Sequence, residues 1–246
     1  MKFVLKPILS EIKELYHQPI SGDRFKAYLD KLQGNSKNDL ALPIAGFNPM
    51  AKEHVIKKII ELETLGAEEL IAETIESFNT QVTGPSKEVY TVVLNLADDL
   101  HGAWTNFYTT DFDSKFKLNA FVTRNFCTPH FYTSEKYCKD LIRSRTNEYL
   151  HRTVYWLANG KPKTLEDYVT QESHVAANSN PIRNEIDESQ FEEMLLFYGV
   201  YKSSQEYDLI FNFFYGDEAS ESLAYKKYGI KNTKGFEFSA FLASRQ

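Results

Sequence analysis

Apolar residues recur at helical spacing along most of the chain. Leu5, Ile8, Leu9, Ile12, Leu15 and Tyr16 fall on one face of a helix that Pro7 opens and Pro19 ends. A second helix is predicted over 22–32, burying Phe25, Tyr28, Leu29 and Leu32, with Gly34 as its C-cap. Asn48-Pro49 supplies a cap and a first-turn proline for a third, which carries Val55, Ile56, Ile59, Ile60 and Leu62. Gly66 separates it from a fourth with Leu70, Ile71, Ile75 and Phe78, so a helical hairpin is expected there. Thr83-Gly84-Pro85-Ser86 is the next break.

The stretch after that break is the most distinctive in the chain. Placed on a helix, Val92, Val93, Leu96, Ala97, Leu100, Ala103, Trp104, Phe107 and Tyr108 form one broad apolar stripe, which predicts a central helix over 92–108. The β-branched residues of 89–94 also suit a strand for the first turns. The opposite face would hold Asn95, Asp98, Asp99, Gly102, Thr105 and Asn106, with His101 at its edge. Exposed helix faces normally use Lys, Glu, Gln and Arg, whereas Asn, Asp, Thr and Gly compete with the backbone or cost entropy. Such local violations concentrate at functional or strained sites.

Residues 115–133 lack helical period and are rich in Phe, Val and Thr, which suits irregular chain with one short strand or hairpin around 116–132. A long helix follows from Thr133-Ser134 to Leu157, closed by Asn159-Gly160. Thr164-Leu165-Glu166-Asp167 resembles a capping box opening a helix to about His174. The polar run 177–187 reads as a linker. Beyond it, Tyr198-Gly199, Tyr215-Gly216 and Tyr228-Gly229 are predicted helix stops, with Ser203-x-x-Glu206 as a capping box and Asp217 as a cap. The expected fold is therefore mainly α, a multi-helix globular bundle of roughly nine or ten helices. A main helical domain over 1–177 would be joined by a helical subdomain over 182–246 packed on it.

Composition narrows the function classes. With 34 acidic against 28 basic residues the net charge is −6, which argues against a phosphate-neutralising nucleic-acid surface. No apolar run is long enough to span a bilayer, and the start of the chain lacks a signal-peptide core, so a soluble cytoplasmic protein without membrane partners is expected. Two cysteines, Cys127 and Cys138, are too few for a disulfide framework and suit two buried structural thiols.

Two chemistries suit the polar face of 92–108. Four of the seven arginines, Arg124, Arg143, Arg145 and Arg152, follow it closely, and the guanidinium fork suits buried carboxylates. An Asp–Arg network would stitch the helix to its successor. A binding site for a protein or a small polar ligand would use Asp98, Asp99, His101, Thr105 and Asn106, faced by Arg124, Arg145 and Arg152. The alternative is a metal-dependent, hydrolase-like enzyme with a divalent cation on Asp98, His101 and Asp111, where Asp98 and His101 are the catalytic candidates. Other metal-like spacings are weaker. Glu14-x-x-His17 and Glu148-x-x-His151 lie off the apolar faces of their helices, and Cys127-x-x-His130 with Cys138 has no second Cys-x-x-Cys knuckle.

Overall fold

A computed structural model describes residues 1–34, 39–51, 53–81, 88–100, 105–179, 181–231 and 233–245. Among them the fold is mainly α, with eleven helices and a few short strands. The chain divides into two compact units, 1–150 and 151–246. The division falls inside the long helix α7 (Lys139–Asn159), and the polar run at 177–187 lies within the second unit.

The first unit is built on parallel strands. Strand β1 (Lys2–Leu5) pairs with β2 (Val89–Val92), and β2 pairs with β4 (Phe126–Cys127). Strand β3 (Asn95–Ala97) pairs with β5 (His130–Tyr132) in the register Asn95↔His130, Leu96↔Phe131, Ala97↔Tyr132. Val93 N–H donates to Cys127 O and Asn95 N–H to Pro129 O, so the ladder continues across the gap between the two sheets. Parallel pairing leaves no hairpin in 116–132. The segment instead adds two short strands after helices α5 (Phe107–Phe116) and α6 (Asn119–Val122).

The central helix expected over 92–108 is not formed: Val92 ends β2, Asn95–Ala97 is β3, and Phe107 and Tyr108 open α5. Every residue from Val92 to Asp98 is buried. A parallel strand covered on both faces reads as a continuous apolar run, and such a run satisfies a helical stripe as readily as a strand. Thr105 and Asn106 lie beyond the strand, where Asn106 caps α5 by accepting from Thr109 N–H. His101, Gly102, Ala103 and Trp104 lie outside the described residues, as does the break at Thr83–Ser86.

The early helices are α1 (Leu9–His17), α2 (Gly22–Gln33), α3 (Glu53–Thr64) and α4 (Ala67–Gln81). They lie close to their expected places, but Leu5 belongs to β1 and Asn48-Pro49 form a turn ahead of α3 instead of its first turn. Gly66, with φ +69°, makes the left-handed stop between α3 and α4. Phe78 of α4 packs edge-on against Phe3 of β1, with ring centroids 5.4 Å apart. Asn79 closes the free edge of that strand, accepting from Phe3 N–H at 2.9 Å and donating to Phe3 O at 2.8 Å.

The second unit is helical throughout, with α8 (Leu165–Ser179), α9 (Glu188–Tyr201), α10 (Tyr207–Ser222) and α11 (Gly235–Ala243). Thr164 and Asp167 exchange bonds at the start of α8, as a capping box requires. The tyrosine–glycine stops are realised unevenly. Gly216 (φ +83°) kinks α10 internally and Gly229 (φ +95°) sits in a loop, but α9 runs through Gly199 to Tyr201. The box expected at Ser203–Glu206 does not form, because Glu206 N–H donates to Ser204 Oγ. The Asp217 carboxylate accepts from Asn212 and from the N–H groups of Tyr228 and Gly229 instead of capping a helix.

The core of this unit is aromatic, with Phe191 stacked on Phe238 at 5.2 Å and Phe213 packed beside it. Within it Arg152 and Glu172, both almost fully buried, pair through two bonds of 2.8 and 2.7 Å.

Candidate functional site

Asp98 follows β3 directly and is 2% exposed. Its carboxylate accepts from His54 Nε2 at 2.8 Å, Asn48 Nδ2 at 3.0 Å and Thr133 Oγ1 at 3.3 Å. His54 is the second residue of α3, so the charge also faces the positive end of that helix. Asp99 accepts from Thr133 Oγ1, Ser134 N–H and Ser134 Oγ. Both aspartates thus find neutral donors and a histidine, and they hold the ends of β3 and β5 together.

The arginines go elsewhere. Arg124 meets Asp39, Arg143 meets Glu73, and Arg145 grips Glu135 with two bonds of 2.6 and 2.7 Å. Arg152 belongs to the second unit with Glu172. The expected Asp–Arg network is therefore replaced by separate arginine–carboxylate pairs. The physical reason is position: a carboxylate at a strand end, beside a helix N-terminus, is served by short-range donors.

Two of the three residues expected in the metal set lie apart. Asp111, on α5, accepts from Tyr132 OH at 3.1 Å and ion-pairs with Lys115. Successive strand residues turn to opposite faces, so Tyr132 points toward α5 and Thr133 toward α3. Asp111 and Asp98 consequently sit on opposite sides of the β3–β5 pair, and His101 lies outside the described residues. Among the described residues no group of three or more His, Cys, Asp or Glu could hold a metal ion. Cys127 is buried and Cys138, expected inside, is exposed. Glu148 and His151, expected to lie off the core, are both buried.

The face toward α5 carries a second polar cluster that the sequence pattern did not bring together. Asn95, Ser114, His130, Tyr132 and Tyr149 are all buried there. Asn95 Oδ1 accepts from Gly46 N–H at 3.1 Å while its amide donates to Pro43 O, which clamps the 43–46 loop on the sheet. A Cβ on Gly46 would come within 2.7 Å of Asn95 Oδ1, so only glycine permits this approach. Ser114 Oγ lies 2.6 Å from Tyr149 OH. Burial raises the Tyr132 phenol well above its usual range, which keeps it protonated as the donor to Asp111.

Beside this cluster is a cleft of about 350 Å³, lined by Ala45, Gly46, Thr105, Thr109, Thr110, Asp113, Ser114, Lys117, Ala120, Phe121 and His130. His130 is 6% exposed. Its Nδ1 is 2.9 Å from Thr128 O, which can only accept, so Nδ1 carries the proton and Nε2 keeps the lone pair. No hydrogen bond to Nε2 is formed by the described residues. Burial lowers the imidazole pKa to about 4, so the ring is neutral at physiological pH.

His130, noted in the sequence only for its spacing from Cys127, lines the cleft; of the expected ligand-binding set, Thr105 alone among the described residues does so. Asp98 acts on it indirectly: its carbonyl accepts from Thr105 N–H and Oγ1, and its carboxylate holds Asn48 at the end of the opposing loop. Asp98 is thus a positioning residue for two walls. Asn106 supports the cleft only by capping α5, while Asp99, Arg124, Arg145 and Arg152 do not line it. Arg145 nevertheless donates to His130 O at 3.2 Å and so fixes the strand that presents the imidazole. One signal for this face was present in the sequence: Asn95 is an amide in the middle of an apolar run. No protein-family model, curated protein or solved structure matches the chain.

Proposed function

We propose that the first unit binds a small, uncharged polar molecule in the cleft beside β5 and α5, with His130 Nε2 as the anchoring acceptor. One observation carries this reading. His130 is buried and neutral, its Nδ1 is engaged by the backbone, its Nε2 meets no donor among the described residues, and the residue lines the cleft. A buried acceptor without a donor costs free energy that a ligand N–H or O–H recovers.

The rest of the lining favours the same ligand chemistry. Thr110 offers a hydroxyl that donates or accepts, while Thr105, Thr109 and Ser114, whose hydroxyls donate to Asp98 O, Asn106 O and Asp111 O, offer acceptor lone pairs. The two charged groups offset each other, because Lys117 Nζ lies 2.7 Å from Asp113 Oδ1. A polyol or an amide-bearing metabolite fits this balance better than an anion. The role is one of binding in a pre-formed concave site.

The test uses ¹⁵N-labelled full-length protein and a library of hydroxyl- and amide-bearing fragments, read by long-range ¹H–¹⁵N spectra of the histidine rings. Binding fragments are expected to shift the His130 Nε2 resonance in a saturable way and to lose affinity in His130→Phe. Fragments that bind without moving that resonance, or that bind His130→Phe equally well, would sink the reading.

A further inference from the structure

The second unit gathers exposed apolar side chains on one helix. On α9, Leu196 is 76% exposed and Val200 is 74% exposed, with Leu195 and Tyr201 partly exposed beside them. At about 100° per residue, Glu192, Leu196, Gly199 and Val200 share a strip directed away from the buried Phe191 and Met194. A helix facing only water would place charged residues on such a strip. Gly199 is equally out of keeping: it lies within the helix, and a Cβ there would meet nothing within 4 Å. Glycine inside a helix is unfavourable relative to alanine, and no close approach among the described residues requires it here. A bare backbone at the centre of the strip lets another helix approach closely.

A groove of about 430 Å³ runs beside the strip, with Tyr228, Gly229, Ile230 and Lys231 forming its far bank. The charges around it are separated by sign. Glu192 and Glu193 stand in the second turn of α9, and Lys231 stands across the groove. None of these three makes an ion pair among the described residues.

We propose that this face is covered by a second copy of the chain, related by a two-fold axis that passes near Gly199. The two α9 helices cross antiparallel, Leu196 and Val200 of each copy enter the groove of the other, and Glu193 of each meets Lys231 of the other. A two-fold contact requires one surface complementary to itself. An acidic bank and a basic bank flanking a shared apolar strip meet that requirement. A foreign helix of one predominant charge would match one bank and be repelled by the other.

Sedimentation velocity of the full chain over a dilution series tests the proposal, with a concentration-dependent monomer–dimer equilibrium as the expected result. Leu196→Glu should abolish the dimer without changing the thermal melt, because the side chain is exposed. Glu193→Lys and Lys231→Glu should each weaken association by about tenfold, and the double variant should recover it. That recovery distinguishes the paired arrangement from a merely adhesive patch. A wild-type chain that stays monomeric at every concentration overturns the proposal. So does a dimer that survives Leu196→Glu, or a charge swap that restores nothing.

Discussion

Acidification should destabilise the first unit through His130, by an amount that follows from its burial. An unfolded histidine titrates near 6.5, whereas the folded ring is held down to about 4. Between those values the unfolded chain takes up a proton that the folded chain refuses. Stability is therefore intact above the unfolded value and falls as the pH drops toward the folded one. The linkage relation gives a loss of about 2 kcal/mol between about pH 7 and pH 5, rising to about 3 kcal/mol when the proton is fully taken up.

Carboxylates titrate over the same range, so the comparison must be with a variant. His130→Phe keeps a ring of similar size beside Tyr149, whose centroid lies 6.1 Å away, and removes the titration. Urea unfolding followed by circular dichroism at both pH values gives a slope for each protein. The wild-type slope should exceed that of the variant by about 2 kcal/mol over this interval. Equal slopes, or a folded-state imidazole that titrates near 6.5 by NMR, would refute the account of His130 as a neutral buried acceptor.

Three further outcomes test the frame around the cleft and the second core. Asp98→Ala should cost about 3 kcal/mol, since it strands the donors of Asn48, His54 and Thr133, and it should weaken fragment binding by loosening both walls; thermal melts and the fragment titration report these separately. Gly46→Ala should cost about 1–3 kcal/mol, because its Cβ forces the loop off Asn95, and a melting temperature equal to wild type would contradict the close approach. Arg152→Met should cost about 3–5 kcal/mol by leaving Glu172 buried and unpaired, while replacing both residues with Met should recover most of that loss. A neutral single variant would show that the pair is hydrated.

Helices with one wet face were legible because their apolar period is interrupted by charge. Thus α2 ends at Gly34 and α4 starts after Gly66, as the pattern predicts. The parallel strands were not legible, because burial on both faces removes the alternation that marks a strand. Val92 to Ala97 then matched a helical stripe by default. That substitution also misread the chemistry: Asp98, Asp99 and Thr105 looked like an odd helix face and are ordinary strand-end and loop residues. The short polar stretch did mark the right neighbourhood, since Asp98 and Thr105 frame the cleft. His130 drew notice only for its spacing from Cys127, and its approach to Ser114 stayed hidden because it depends on strand register and on the docking of α5, neither of which is local in sequence. Arginine pairing failed similarly, as spacing along the chain says little about which carboxylate a long side chain reaches.

The amide of Asn79 carries a consequence for synthesis. Strand β1 leaves the ribosome well before its neighbours, since its partner β2 lies at 89–92 and the strand that completes the sheet at 126–127. At about 5–20 residues per second, that interval lasts on the order of ten seconds. Until α4 and β2 have emerged, Phe3, Val4 and Leu5 are a sticky segment with unpaired backbone on both sides. Helix α4 emerges before β2 and can fold locally, so Asn79 is able to seal one side of β1 before any strand arrives. Asn79→Leu should therefore raise the fraction of newly made chain that aggregates more than it lowers the stability of the finished protein. Comparing pulse-labelled insoluble material with equilibrium melts would separate the two effects.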